Sequence, residues 1–130
     1  MIYGIGTDIC AVERIEHILQ QRYAERFVKR ILTEKEVEKF SQLSDKRKIE
    51  FLAGRYALKE AVSKALGTGI GGYVSFLDIT IDNNSQGKPI CTLSDACYEK
   101  LQLTKQHMNI HISLSHETQF AVAYVVIERI

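Results

Sequence analysis

The chain has little that would stabilise a fold covalently or hold it to a membrane. Its 130 residues include only three cysteines, Cys10, Cys91 and Cys97. They are odd in number and form no CxxC pair, which argues against a disulfide framework or a structural zinc site. They read as reduced thiols of a cytosolic protein. Cys10 near Asp8 invites a nucleophile reading, but nothing in the sequence supplies it with a base. No apolar stretch approaches the roughly 20 residues that span a bilayer. The N-terminus lacks the basic-then-apolar order of a signal peptide, so a cytoplasmic protein without a membrane partner is expected. Low-complexity tracts and blocks of like charge are also missing, as in a folded globular protein. The net charge is only +1 and there is no run of aromatics, so nucleic acid is a poor partner. A chain of this length is expected to form one domain over residues 1–130, small enough for oligomer contacts to matter.

What is present is a strand, then helices, then strands. Met1 to Ile9 alternates, with Ile2, Gly4, Gly6 and Asp8 on one face. The small residues leave room beside Asp8, as a ligand site at a strand end needs. Asp8 reads equally well as the cap of a helix starting near Cys10 or Ala11. Val12, Ile15, Ile18 and Leu19 give that helix its spacing. Thr33-Glu-Lys-Glu36 has capping-box order and starts a helix toward Phe40. Ser44 caps a long central helix that persists to about Leu66 and stops at Gly67, a residue suited to a left-handed C-cap. Val74 to Ile81 reads as a strand, residues 83–87 as a turn, and Pro89 to Leu93 as a short strand. Ser94-Asp95 caps a helix through about Leu103. Strands follow near 109–116 and 119–128, the last apolar on both faces and therefore central. This order lacks strand-helix alternation, so we expect an α+β domain, an antiparallel sheet packed by the long helix.

The central helix carries the most chemistry. Glu60 and Lys64 lie one turn apart on one face, and Gly67 falls a turn further along it. A carboxylate suits a divalent cation, a lysine suits a phosphate, and glycine admits close backbone approach. The same spacing also describes an ordinary surface ion pair. The glycines of 67–72 follow a helix rather than open one, so a Walker or Rossmann loop is a poor reading. Likewise Ser115-His116 lacks the context of a serine hydrolase, since adjacent strand residues point to opposite faces.

Three segments in order, Gly4-Ile-Gly-Thr-Asp8, Phe51 to Ile70 and Ile112-Ser-Leu-Ser-His116, resemble holo-[acyl-carrier-protein] synthase. This is the small bacterial type of 4'-phosphopantetheinyl transferase. The likeness runs nearly end to end, including Arg26-Phe-Val-Lys-Arg-Ile-Leu-Thr33 and the closing strand from Phe120. It implies the phosphopantetheinyl transferase fold and a homotrimer with sites at subunit interfaces. It further implies transfer of phosphopantetheine from coenzyme A to a serine of apo-acyl carrier protein, a step of fatty acid biosynthesis. By resemblance, Asp8 and Glu60 are carboxylate ligands of Mg2+, and Lys64 neutralises phosphate charge. Oxygen ligands would suit manganese as well. Glu60 is also the candidate base for the serine proton. His116 is implied at the coenzyme site, with a structural histidine as the alternative. Arg55 is a candidate anchor for the coenzyme phosphates, or else a partly buried ion-pair residue.

Charge distribution points to the acceptor. Residues 22–48 hold nine Lys or Arg against five Asp or Glu, while the remainder is net negative. Acyl carrier proteins are acidic, so this basic segment suits one. Arg14, Arg26, Arg30 and Arg47 match the family's carrier-binding positions, although any one of them also reads as a solvated helix residue. Two other functions remain compatible: a different magnesium-dependent enzyme of pyrophosphate substrates, and a noncatalytic coenzyme- or carrier-binding module.

Overall fold

A computed structural model describes all residues, 1–130. Strand β1 (Ile2–Ala11) leads into three short helices, α1 (Val12–Leu19), α2 (Ala24–Ile31) and α3 (Glu34–Ser41). The long helix α4 (Asp45–Ala65) follows. After a 3-10 turn at Phe76–Asp78 come β2 (Ile79–Asn83), β3 (Pro89–Leu93) and α5 (Asp95–Leu101). The chain ends in β4 (Met108–His116) and β5 (Phe120–Arg129). Strands β1, β5 and β4 form an antiparallel sheet with β5 central, and β2 pairs with β3 separately. The α+β architecture expected from the sequence is present.

Local chemistry sets the helix ends. Thr33 accepts from the Glu36 backbone while the Glu36 carboxylate accepts from the Thr33 backbone, closing the capping box. Ser44 and Ser94 cap α4 and α5 through Arg47 N–H and Cys97 N–H. Gly67 ends the central helix region with φ of 86°, a conformation that costs glycine little. Helix α2 has no side-chain cap at Tyr23, which explains why no start signal stands in the sequence.

One face of the main sheet packs on α4. Gly6 is buried there, and Cys10, Ala121, Ala123, Val125 and Ile127 belong to one continuous apolar cluster. Two expectations need correction. The space beside Gly4 and Gly6 is not a ligand cleft: a Cβ on either would overlap the backbone carbonyls of Ala65 and Ala61. The glycines let α4 lie directly on β1, and that contact brings Asp8 to the helix. The segment from Val74 is not one strand either. Ser75 and Asp78 close a capping box that turns the chain once before β2 begins. Val74, Phe76, Ile79 and Ile81 are buried nonetheless.

The other face of the sheet is open. Ile5, Ile9, Phe120, Val122 and Tyr124 point away from α4, and each has more than a third of its surface exposed. No helix is long and apolar enough to cross a membrane.

Candidate functional site

Close packing of α4 on β1 assembles the polar cluster. Lys64 donates from Nζ to Asp8 Oδ1 at 3.2 Å and to the Thr7 carbonyl at 3.0 Å. Asp8 is therefore not the cap of α1, whose N-cap is Ala11 and lacks a side-chain bond. Nor does Lys64 form the simple pair with Glu60 that helical spacing allows; it reaches across to the strand. Glu60, one turn earlier, is half-buried. Its burial, and then the Asp8 carboxylate beside it, push the Glu60 carboxyl above the ordinary range. Lys64, the Tyr56 hydroxyl and Arg14 pull the other way. A half-buried Glu60 carboxylate whose ionisation a second carboxylate makes costlier is a donor that a cation relieves. No group of three or more His, Cys, Asp or Glu side chains is placed to hold a metal. Asp8 and Glu60 alone fit a magnesium ion, which keeps waters and takes phosphate oxygens beside one or two carboxylates.

Next to this cluster lies an aromatic and cationic patch. The Tyr56 ring stacks on Phe27 and Phe76 with centroids 6.2 and 5.5 Å away. The Arg14 guanidinium sits 5.1 Å from the Tyr56 centroid and donates to its hydroxyl at 3.4 Å. Arg30 lies 5.8 Å from the centroid of Phe76. Arg14 and Arg30 thus border the Glu60 end of α4, and Arg26 is exposed on the same helix as Arg30. Arg47 is exposed in the first turn of α4. It stands thirteen residues before Glu60, about 20 Å along the axis, so it does not join the patch.

Other expected residues are also separate from the carboxylates within the chain. His116 ends β4 on the α4 face, its ring against Gly54. Gly54 precedes Glu60 by six residues, about 9 Å of helix. A cavity of about 540 Å³ adjoins His116, lined also by Val12, Lys46, Ile49 and Glu50. Arg55 is turned away into the interior. It donates to Asn83 Oδ1 at 3.1 Å, stands 3.9 Å from Glu36, and lies over the Phe51 ring. That is the ion-pair alternative, with burial as its cause. Gly67 borders open space beyond the helix end. Cys10 is buried, which pushes its thiol up to about 11, so it carries no thiolate.

Sequence reasoning missed a fully buried charge. Lys59 has no exposed surface, and its Nζ donates to Glu36 Oε1 at 2.6 Å, Ile31 O at 2.7 Å and Phe76 O at 3.2 Å. Its position in a long buried run of α4 was the available signal, since a charge there requires a partner.

The fold and site define a class. A family model described as the 4'-phosphopantetheinyl transferase superfamily matches residues 4–125. Proteins named holo-[acyl-carrier-protein] synthase match end to end: one from a Geobacillus species is 50% identical across the whole chain and 99% of its own length. Another, from Bacillus velezensis, is 52% identical over all of this chain and 98% of its own. The crystal structure of a holo-(acyl-carrier-protein) synthase from Bacillus anthracis, in complex with CoA (3',5'-ADP), superposes with a TM-score of 0.85. It is 46% identical and covers 100% of this chain and 99% of that one. The chain belongs to the holo-[acyl-carrier-protein] synthase family of that superfamily.

Proposed function

We propose that residues 1–130 act as a single transferase domain that moves 4'-phosphopantetheine from coenzyme A to a serine of apo-acyl carrier protein. The products are holo-acyl carrier protein and adenosine 3',5'-bisphosphate, in fatty acid biosynthesis. The observation that carries this reading is the meeting of Asp8, Lys64 and Glu60 where α4 crosses β1. It stands in a chain half identical to proteins of that name.

In this reaction the serine oxygen bonds to the β-phosphorus while that phosphorus releases its bridging oxygen to the nucleotide. Lys64 leaves Asp8 for the phosphates and neutralises charge that builds on their oxygens. Glu60 receives the serine proton, directly or through a water. Its raised affinity for a proton suits that duty. Asp8 and Glu60 would hold Mg2+, which when bound supplies charge stabilisation to the pyrophosphate oxygens. His116 and the backbone after Gly67 lie to either side of this centre and would contact the coenzyme. Arg55 would act on that site only indirectly, through its interior contacts.

The acidic carrier docks on Arg14, Arg26 and Arg30, with Arg47 at the rim. Three copies assemble through the open sheet face, where Ile5, Ile9, Val122 and Tyr124 offer an apolar patch. The number three follows the family likeness. Three unpaired thiols suit a cytoplasmic enzyme. Light scattering after size exclusion tests the assembly: a mass three times that of the chain is expected, and a monomer contradicts it.

Intact-mass analysis of apo-acyl carrier protein, after incubation with this protein, coenzyme A and magnesium, tests the activity. A gain of one phosphopantetheine arm that EDTA abolishes is expected. Coenzyme binding without mass gain on several folded carriers overturns the transferase in favour of a binding module.

A further inference from the structure

The Lys59–Glu36 pair stands outside the site, yet it is bonded to both halves of the molecule that the reaction must hold in register. Lys59 immediately precedes Glu60 on α4. Its three ammonium protons have three acceptors: Glu36, the carbonyl of Ile31 and the carbonyl of Phe76. Ile31 is the last residue of α2 and follows Arg30. Phe76 is the residue whose ring underlies Arg30 and stacks on Tyr56. Glu36 completes the tie, accepting from Thr33 N–H at the start of α3 and from Ile81 N–H in β2, both within 2.9 Å. Every bond converges where the basic helices meet the catalytic helix.

A pair of well-packed apolar side chains would hold these elements together about as strongly. Such a contact slides. Three directional hydrogen bonds from one ammonium fix how far α2 sits along α4. We infer that Lys59 and Glu36 are positioning residues for the acceptor: they set the Arg30–Phe76–Tyr56 platform at a fixed distance from Glu60. The inference rests on the carrier-docking reading above. Coenzyme binding does not pass through this tie, because Lys64 and Asp8 are placed by the contact of α4 with β1. The pair therefore bears on one substrate and spares the other.

The test compares steady-state kinetics of the full-length protein with K59M/E36Q and R30A. The double variant is uncharged and keeps an acceptor for one backbone N–H, so it should fold. Its KM for apo-acyl carrier protein is expected to rise about tenfold, while KM for coenzyme A stays within about twofold. Amide hydrogen exchange across residues 24–31 should quicken. A folded double variant with an unchanged carrier KM, beside a raised carrier KM in R30A, overturns the positioning role alone. Proportional rises in both KM values overturn it too, since a general loosening would do that. If R30A also leaves carrier KM unchanged, the docking surface is wrong and the positioning role falls with it. If the double variant does not fold, Lys59→Arg, which keeps the charge beside Glu36 but changes the hydrogen-bond geometry, supplies the same comparison.

Discussion

Lys59 and Lys64 stand five residues apart on one helix, each beside a carboxylate. The first pair is dry: Lys59 has no exposed side-chain surface and Glu36 only 2%. The second is wet, with Lys64 half exposed and Asp8 at 17%. In the dry pair every bond is made within the protein, and no capacity remains for a ligand. In the wet pair the ammonium can leave its partner for a phosphate at small cost, because water screens the exchange. The carboxylate neighbours differ in the same way. Glu36 is satisfied by two backbone amides and an ammonium, whereas Glu60 is crowded by Asp8 and half-covered. On the proposed reading, a buried tie and an exchangeable pair thus stand about 1.4 turns apart on α4.

Substitutions can break this division. Glu60→Gln should have the largest effect, lowering transfer by about a hundredfold to a thousandfold in the carrier mass assay. It should not destabilise the fold. The folded chain holds the Glu60 proton more tightly than the unfolded one does. The stability this contributes is complete below the unfolded carboxyl value and is lost as pH rises through the folded one. Melting curves at acid and neutral pH should therefore show Glu60→Gln gaining on the parent as pH rises. A parent that gains instead would mean that Glu60 is stabilised as an anion.

Lys59→Met alone comes next. It leaves Glu36 a buried anion with only distant compensation from Arg55, and should cost about 3–5 kcal/mol in denaturant unfolding. A loss below about 1 kcal/mol would show the pair to be wetter than its burial indicates. Ser44→Ala removes the cap of α4 and should cost about 1 kcal/mol, with transfer unaffected at temperatures where the variant is folded. Lys64→Met should change unfolding by less than about 1 kcal/mol, the smallest stability effect of the set.

The parts legible in the sequence were those set by local chemistry. Thr33 and Glu36, Ser44, Ser94 and Gly67 each mark an element end through bonds made within a few residues. The apolar run from Phe120 identified the central strand, which pairs with β1 on one edge and β4 on the other although only its α4 face is covered within the chain. Helical spacing put Glu60 and Lys64 on one face, but Asp8 joined them only through the family resemblance, since by itself it read equally well as a helix cap. Long-range contacts were not readable. Glu36 looks like a capping residue and is one, but its second oxygen and its bond to Lys59 depend on β2 and α4 arriving at the same point. Gly4 and Gly6 looked like space for a ligand because sequence cannot say that a helix backbone fills it. Lys59 carries no capping or motif signal of its own, and only its apolar neighbours in the run mark it as buried.

The division of labour along α4 is tested most directly by the rate of phosphopantetheine transfer by Lys64→Met, at a temperature where its unfolding curve matches the parent. A fall of about a hundredfold or more is expected, with the fold intact. Transfer at the parental rate would contradict the account, because the wet pair would then be an ordinary surface contact rather than the phosphate-binding half of the site.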